Sequence, residues 1–413
     1  MAHGGDFNGP RWGTSRFPRP LHWSASRTGA PVFVDLNTSA PGRLTPVNEF
    51  RPGLEGVVAF QTEIAEPDKE GGSLRYRGVD IEELVGRHPY EQVWGLLVDE
   101  SFEPGMPDAE PFRPANLTGN APSDLQSALA HLSAEWELRK LVDIEPEDAR
   151  DDLARLSAIT MSIVAQSARV ADGKTDPVPD DVVEQGGIAA EKFLLRWRGE
   201  ADPKHVQAID TYWICTAEHG LNASTFAARI VASTGADSGA AMSAAVGALS
   251  GPLHGGAPAR ILPMLEGAEK LGDPAQYVKD LLDRGERLMG FGHRIYRGDD
   301  PRATLLKRTA KELGSSRYEV ADALEQAALA ELKRRKPDRS LPTNVEFWSA
   351  VVLDTAEIPP DLTPAMFGCA RVAGWSAHIL EERKTGRLIR PSAQYVGPSP
   401  RPASEVGAAP VPS

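Results

Sequence analysis

Cysteine is scarce in this chain, and long apolar runs are absent. The 413 residues include two cysteines, Cys215 and Cys369, both in apolar segments with a helix-like pattern. We therefore expect buried free thiols in a reducing compartment, because a disulfide framework needs more cysteines. No run approaches the roughly 18 apolar residues of a membrane span, and the start of the chain lacks the apolar core of a signal peptide. These absences predict a cytoplasmic protein.

Basic residues are also in the minority, and several common site motifs are missing. The formal net charge is −13 and the sequence pI is near 5.3, which argues against a nucleic-acid-binding protein. There is no GxxxxGK[ST], HExxH, CxxC or EF-hand loop. The Gly290-Phe291-Gly292 segment lacks the third glycine and the preceding strand of a dinucleotide-binding motif. The histidines are scattered without ligand spacing, so we expect no metal site.

Helical periodicity dominates the chain from about residue 80 onward and predicts an all-α protein. Strand-like character is confined to 57–65 and 73–78, which predicts a minor β-hairpin near the N-terminus. Asp80 is placed to cap the helix that follows this hairpin. Thr363 is placed to cap the last long helix, and Gly386 to end it.

Composition and glycine- or proline-rich segments divide the chain into regions. Residues 1–46 are rich in Gly, Pro, Arg and Ser and predict a flexible extension. Residues 47–255 and 356–397 are predicted to form a large helical domain, and 256–355 a smaller helical domain. Residues 398–413 are low in hydrophobic residues and predict a disordered tail.

The segment 250–302 carries the strongest chemical signal. His254 and His293 each lie among glycines, and Arg297 and Arg302 follow the second histidine closely. Histidine exchanges protons near neutral pH, and arginine binds carboxylates and phosphates in a planar, bidentate manner. His254 also lies just before a predicted helix, whose dipole favours the neutral imidazole. The segment predicts proton-transfer chemistry on an anion, although a turn histidine and a surface-capped helix are the alternatives.

Further candidates lie outside this segment. His219 lies where Gly220 interrupts a helical pattern, and it could equally be a core histidine at a kink. Arg371 and His378 share one face of the last long helix with small residues, which favours close helix packing on that face. Arg390 follows this helix and could reach into a cleft.

One acidic residue lies in an apolar neighbourhood. Glu346 is the single carboxylate in the segment PTNVEFWS at 342–349. Desolvation raises the pKa of a carboxylate and makes it a better base towards a carbon acid. The alternative interpretation is an acid at a helix start that complements the dipole.

Six segments, taken together and in order, resemble the citrate synthase family over about residues 53–397. They are GLEGVVAFQTEIA, LRYRGVDIEELV, EHGLNASTFAARIVAST, GPLHGGAPARILPML, GFGHRIYRGDDPRA and RLIRPSAQYVGP. The resemblance implies a homodimer in which each subunit's small domain closes over the substrates. It also implies condensation of acetyl-CoA with oxaloacetate, followed by hydrolysis to citrate and CoA. CoA then takes part as a substrate thioester, and no other cofactor is implied.

The resemblance assigns chemical roles to three residues. His254 matches the histidine that stabilises the thioester enol, and His293 the histidine that protonates the oxaloacetate carbonyl. Glu346 stands where the family has an aspartate base. The extra methylene moves the carboxylate by about an ångström, and a misplacement of that size can lower the rate on the order of a hundredfold.

The resemblance also assigns binding roles. The matched oxaloacetate ligands are His219, Arg302, Arg371 and, from the partner subunit, Arg390. The matched CoA contacts are Arg297, Phe291 and Gly292. Two other functions stay open at this point: 2-methylcitrate synthase, which uses propionyl-CoA, and a regulatory paralogue that lost catalysis at Glu346. One methyl group changes discrimination by only about 1–3 kcal/mol, so the sequence does not separate acetyl from propionyl.

Overall fold

The structure is a computed structural model that describes residues 50–68, 72–255, 260–293, 296 and 298–407. Residues 50–57, which belong to a separate N-terminal unit, contain one 3₁₀ turn, Pro52–Leu54. The α-helices of the described residues are α1 (Ile81–Leu84), α2 (Tyr90–Asp99), α3 (Ala121–Glu135), α4 (Pro146–Ala171), α5 (Asp180–Val183), α6 (Ala189–Arg198), α7 (Pro203–Thr216), α8 (Ala223–Ser233), α9 (Ser238–Leu249), α10 (Ile261–Leu271), α11 (Pro274–Asp283), α12 (Pro301–Glu312), α13 (Tyr318–Arg335), α14 (Val345–Thr355) and α15 (Thr363–Thr385). The predicted all-α class is confirmed.

A small antiparallel sheet precedes the helices, as the sequence predicts. It comprises β1 (Ala65–Pro67), β2 (Leu74–Tyr76) and β3 (Val79–Asp80) in the order β1-β2-β3. The predicted strand at 57–65 is wrong over most of its length, because β1 begins only at Ala65. Val58 is 87% exposed, and in the described structure residues 57–62 pair with no strand. Alternation alone does not make a strand where no partner lies beside it.

Two of the three predicted helix boundaries are confirmed. The Asp80 side chain accepts a hydrogen bond from the Glu82 N–H, and Gly386 ends α15 with φ of 60°. The predicted cap at Thr363 is wrong, since Thr363 is the first helical residue. A 3₁₀ turn, Pro360–Leu362, leads into α15, and Leu362 already has helical backbone angles. The extended conformation that a capping side chain needs is therefore absent there.

Helix α15 lies at the centre of the main core. It packs against α2, α3, α4, α7, α8 and α9, and most of its residues are buried. Trp375 is fully buried on α15, and the predicted close-packing face carries Gly374 and Ala377. Cys215 and Cys369 are buried free thiols in this core, as expected from the sequence. On such a buried helix, a polar side chain costs free energy unless it finds a partner.

Helices α10 to α14 form a second packed group. Within it, α12 packs against α14 and α11 against α13, and both α12 and α14 also contact α7. This contact brings the starts of α12 and α14 beside the end of α7. The division into domains at 47–255, 256–355 and 356–397 remains a prediction. Within the described residues, no helix is both long and apolar enough to cross a membrane.

The link between α7 and α8 is held by one buried hydroxyl. The Tyr76 hydroxyl lies 3.0 Å from the Ile214 carbonyl oxygen and 3.1 Å from the Glu218 carbonyl oxygen. It also accepts a hydrogen bond from the Glu218 N–H at 3.3 Å. Sheet strand β2 thereby fixes the backbone that leads directly into His219.

We expect Y76F to lower the free energy of unfolding by roughly 1–3 kcal/mol, because it leaves buried backbone groups without their partner. Denaturant unfolding of the two proteins measures this difference. The matched control is Y395F, which removes a hydroxyl from a side chain that is 78% exposed. Equal effects of the two substitutions would show that the Tyr76 hydrogen bonds do not hold this link.

Candidate active site

Two arginines are buried close to one another, and the first of them is paired. Arg302 is 2% exposed in the first turn of α12. The Asp300 carboxylate accepts hydrogen bonds from its Nε at 2.9 Å, its Nη2 at 2.8 Å and its backbone N–H at 3.1 Å. The same carboxylate accepts the Val345 N–H at 3.0 Å. Asp300 therefore neutralises Arg302 and ties the start of α12 to the start of α14.

The second arginine has donors to spare. Arg371 is 4% exposed on α15, and its Nε and Nη1 are buried without a hydrogen-bond partner in the described structure. Its guanidinium lies over the Phe367 ring, 4.7 Å from the centroid. Burial lowers the pKa of Arg371, and the charge of Arg302 lowers it further. A buried cation with unused donors is costly, and an anionic ligand would satisfy it.

An aromatic cluster lies beside Arg302, whose guanidinium is 5.8 Å from the centroid of the Tyr296 ring. The His219 ring lies edge-on to the His293 ring at 5.1 Å and 5.2 Å from the Tyr296 ring. His219 is 8% exposed between α7 and α8, and its Nε2 is buried without a partner. Burial holds the pKa of His219 well below its ordinary value, and the charges of Arg302 and Arg371 act in the same direction. His219 is therefore a neutral imidazole with an unused ring nitrogen inside the cluster.

Donors approach both ring nitrogens of His293. The Tyr296 N–H donates to Nδ1 at 3.1 Å, and Arg302 Nη2, which can only donate, lies 3.3 Å from Nε2. Because a neutral imidazole accepts at only one nitrogen, we assign the shorter contact as the hydrogen bond, which puts the ring proton on Nε2. Burial, followed by the charge of Arg302, lowers the pKa of His293 to about 4. Two donors thus converge where an oxygen atom of a ligand could bind.

His254 has the opposite tautomer. The Ser224 N–H donates to its Nε2 at 3.4 Å, and the Ser224 hydroxyl lies 2.9 Å from the same nitrogen. The proton is therefore on Nδ1. Burial and the charge of Arg371 lower the pKa of His254 to about 4. The predicted neutral imidazole thus has burial as its main cause, while the helix start that the sequence invoked falls at 256–259, outside the described residues.

Glu346 lies in the first turn of α14, beside this cluster. The Asn344 side chain caps the helix by accepting the Glu346 N–H at 3.1 Å. Burial raises the pKa of the Glu346 carboxyl, Arg302 lowers it, and Asp300 raises it. Both interpretations from the sequence therefore hold for its position, since Glu346 is a helix-start acid and a desolvated carboxylate.

The predicted CoA contacts are only partly described. Gly292 donates its N–H to the Pro342 carbonyl oxygen at 2.7 Å, and Phe291 forms an antiparallel bridge with Thr343. The Phe291 ring lies 5.3 Å from the Phe347 ring, so this backbone lies beside the start of α14. Arg297 lies outside the described residues, and its predicted role stays a prediction.

Arg390 is the predicted ligand that the structure does not bring to the cluster. It is exposed in the extended chain after α15. The neighbouring Ile389 N–H donates to the Ser233 hydroxyl at 3.1 Å, which holds this segment at the end of α8. No described hydrogen bond or ion pair joins Arg390 to the buried arginines and histidines of the same subunit.

Comparison with known proteins identifies the family. The family model "Citrate synthase, C-terminal domain" matches residues 53–392. A Mycobacterium tuberculosis protein named "Putative citrate synthase 2" is 57% identical over 359 residues, covering 86% of this chain and 95% of the relative. The citrate synthase of Haloferax volcanii is 35% identical, covering 84% and 96%. The chain belongs to the citrate synthase family. It is therefore an acyltransferase.

Solved citrate synthases share the fold. The enzyme from Thermoplasma acidophilum, solved as a ternary complex with carboxymethyl-CoA and oxaloacetate, superposes with a TM-score of 0.74 at 26% identity. That match covers 86% of this chain and 99% of the solved chain. The enzyme from Pyrobaculum aerophilum gives a TM-score of 0.73 at 31% identity, covering 91% and 100%.

Three residues of this candidate site are not singled out as site residues by the sequence. For Asp300 the sequence offers only the alternative of a surface helix cap paired with nearby arginines, whereas the structure buries the Asp300–Arg302 pair. Tyr296 contacts both histidine rings, and its hydroxyl is buried without a partner in the described structure. Glu218 is fully buried next to His219. No local pattern distinguishes the last two from ordinary core residues.

The lowered pKa of His293 predicts a pH dependence of stability. Its pKa is about 4 in the folded protein against an ordinary 6.5, so protons favour the unfolded chain between these values. Stability should therefore fall as the pH drops from 6.5 towards 4, and H293N should lose less stability over this range than the wild type. Denaturant unfolding at several pH values measures both slopes.

The matched control is H131N, which removes a histidine on α3 whose side chain is 72% exposed. It should leave the pH slope nearly unchanged. A wild-type slope in H293N would contradict the assignment of His293 as a buried neutral imidazole.

Proposed function

We propose that this chain condenses acetyl-CoA with oxaloacetate and hydrolyses the product thioester to citrate and CoA. The observation that carries the proposal is the buried Arg371, whose Nε and Nη1 lack hydrogen-bond partners in the described structure, near the buried Arg302. The spare donors of Arg371, the Nε2–H of His293 and the unpartnered ring nitrogen of His219 suit a small dicarboxylate with a carbonyl oxygen. The oxaloacetate in the solved Thermoplasma acidophilum complex supports this choice of ligand.

The first step is enol formation. Glu346, whose pKa is raised by burial, removes a proton from the methyl group of the acetyl thioester. The Nδ1–H of His254 donates a hydrogen bond to the thioester oxygen, which gains negative charge as the methyl proton leaves. A neutral donor suits this task, and the pKa of about 4 keeps His254 uncharged near neutral pH.

The second step forms the carbon–carbon bond. The enol carbon attacks the keto carbon of oxaloacetate, and the keto oxygen takes the proton from Nε2 of His293. Arg302 lies 3.3 Å from that nitrogen and stabilises the developing oxyanion. Water then cleaves the thioester, adding its hydroxyl group to the acyl carbon and a proton to the leaving CoA sulfur. The proton held by Glu346 returns through water to Nε2 of His293, which restores both groups as citrate and CoA leave. CoA enters as a substrate, and we propose no resident cofactor or metal.

The choice of acetyl-CoA over propionyl-CoA is the finer part of the proposal. A 2-methylcitrate synthase of Shewanella oneidensis is 32% identical to this chain, so family membership leaves both acyl groups open. Glu346 is one methylene longer than the aspartate of the family pattern, and we propose that the added length points at the acyl group. This leaves less room for the extra methyl group of a propionyl thioester, which favours the acetyl group.

Release of free thiol tests the proposed reaction. We expect release from acetyl-CoA with oxaloacetate to exceed release from propionyl-CoA by about 10-fold or more, the range expected for one methyl group. We expect E346Q to lower kcat by roughly 10²–10⁴-fold, because it removes the proposed base.

The control for E346Q is E319Q, which removes an exposed acid from the first turn of α13. A preference for propionyl-CoA would establish the 2-methylcitrate reaction instead. No thiol release from either substrate would favour a regulatory paralogue and overturn both enzymatic proposals.

We also propose that the enzyme is a homodimer in which Arg390 enters the partner's site. The support is its exposure in an extended segment after α15, away from the buried cluster of its own subunit. Exposed apolar side chains accompany it, with Leu388 57%, Tyr395 78% and Val396 86% exposed. Such a segment suits a partner surface.

Mixed dimers test this arrangement. R390Q and E346Q should each be nearly inactive as homodimers. A mixed dimer of the two variants should regain activity, because one of its two sites then combines an intact Glu346 with an intact Arg390 from the other chain. Activity of co-expressed, separately tagged subunits measures this. Failure of the mixed dimer to exceed either parent would place Arg390 in its own subunit's site.

A further inference from the structure

Glu218, His378 and Arg229 form a buried charged network that the proposed reaction does not use. Their exposures are 0%, 1% and 1%. We propose that His378 is a positioning residue that keeps the Glu218 carboxylate beside Arg371 without letting the two pair. This leaves the donors of Arg371 for a carboxylate of the substrate, so the inference rests on the proposed function.

The network begins at a firmly held arginine. Arg229 on α8 donates from Nε to Glu382 at 2.8 Å and from Nη1 to Glu381 at 2.6 Å, both on α15. Its guanidinium also lies 4.2 Å from the centroid of the Phe60 ring. With these partners on several sides, Arg229 offers a fixed donor to the next member of the network.

His378 connects Arg229 to Glu218 through its two ring nitrogens. Arg229 Nη1 lies 3.0 Å from His378 Nδ1, and because arginine can only donate, Nδ1 is the acceptor. The imidazole proton is therefore on Nε2, which lies 3.2 Å from Glu218 Oε1. The hydrogen bond thus has a defined direction, from His378 to the carboxylate.

The other carboxylate oxygen occupies a slot made by a glycine. A Cβ atom at Gly374 would overlap Glu218 Oε2, so the missing side chain makes room for this oxygen. Gly374 is one turn after Arg371 on the same face of α15. Oε2 has no hydrogen-bond partner in the described structure, although the Nε and Nη1 of Arg371 lack partners too. Two unsatisfied groups of opposite charge are thus held apart.

Electrostatics agrees with this geometry. Burial alone would raise the pKa of Glu218, but His378 and Arg371 lower it by more, so the carboxylate is ionised. Its charge in turn opposes the effect of burial on Arg371. Glu218 therefore stabilises the charge of Arg371 without a hydrogen bond to it. The hydrogen bond that Glu218 accepts comes from His378 instead.

The variant H378L removes the hydrogen bond from His378 to Glu218 and fills the space with an apolar side chain. The freed carboxylate should turn to Arg371 and occupy the donors meant for the substrate. We expect the KM and the Kd for oxaloacetate to rise about 10- to 100-fold, the range expected for a hydrogen bond to a charged group. The kcat and the KM for acyl-CoA should change less than about threefold, since neither depends on these donors.

Two further variants separate positioning from packing. H378Q keeps an N–H near the place of Nε2 and should restore an oxaloacetate KM close to that of the wild type. In the double variant E218Q/H378L the neutral amide cannot form an ion pair with Arg371, so this second substitution should relieve most of the defect. The substitution H131Q on the exposed face of α3 is the control. G374A, whose Cβ displaces Glu218 from its slot, should reproduce the defect of H378L, and E218Q should relieve it too.

Oxaloacetate binding is measured by calorimetry and steady-state kinetics on the full-length protein. An unchanged Kd in both H378L and G374A, or a raised Kd that E218Q does not relieve, would overturn the positioning role. If H378L does not fold, G374A with and without E218Q makes the same comparison. Failure of the wild-type protein to bind oxaloacetate would instead overturn the proposed function, which keeps the two failures distinguishable.

Discussion

Two buried guanidinium groups impose the main constraint on this structure. Removing a cation from water costs several kcal/mol unless charges or hydrogen bonds offset it. The two arginines are treated differently: Arg302 is fully paired with Asp300, whereas Arg371 keeps two buried donors without partners. A fully paired second arginine would give a more stable apo protein with less capacity for an anion. The unpaired donors therefore lower the stability of the protein without a ligand, and the proposed anion would satisfy them.

The carboxylate of Asp300 links buried Arg302 to the rest of the candidate site. It pairs with Arg302 at the start of α12 and accepts the Val345 N–H at the start of α14. Since Glu346 is the next residue, the buried Arg302 and the candidate base are positioned through one buried side chain. A displacement of either helix start would move both groups relative to the histidines. The separate sequence segments around 300 and 345 are thus one structural unit.

The sequence predicts most helices and two of the three helix boundaries considered, but it does not predict the contacts that orient the candidate site residues. Periodicity identifies most helices, and local capping chemistry identifies Asp80 and Gly386, because these signals act within a few residues. The same local logic fails at Thr363, where the preceding 3₁₀ turn already sets the backbone. His378 and Glu218 are separated by 160 positions, so no local pattern reveals their hydrogen bond. The contact between His254 Nε2 and the Ser224 N–H, 30 positions away, likewise forms only in the folded chain.

The placement of Glu346 shows how this distinction matters for chemistry. The resemblance to the family calls for an aspartate here, and the extra methylene would be compensated most simply by moving the helix. Yet the start of α14 is fixed twice, by Asp300 at the Val345 N–H and by Asn344 at the Glu346 N–H. The helix therefore cannot retreat without breaking a buried ion-pair network. The added length must be absorbed by the side-chain torsions of Glu346 or by the position of the acyl group. Either route makes the shape of the acyl pocket, and not the backbone, the feature on which the proposed role of this glutamate as a base depends.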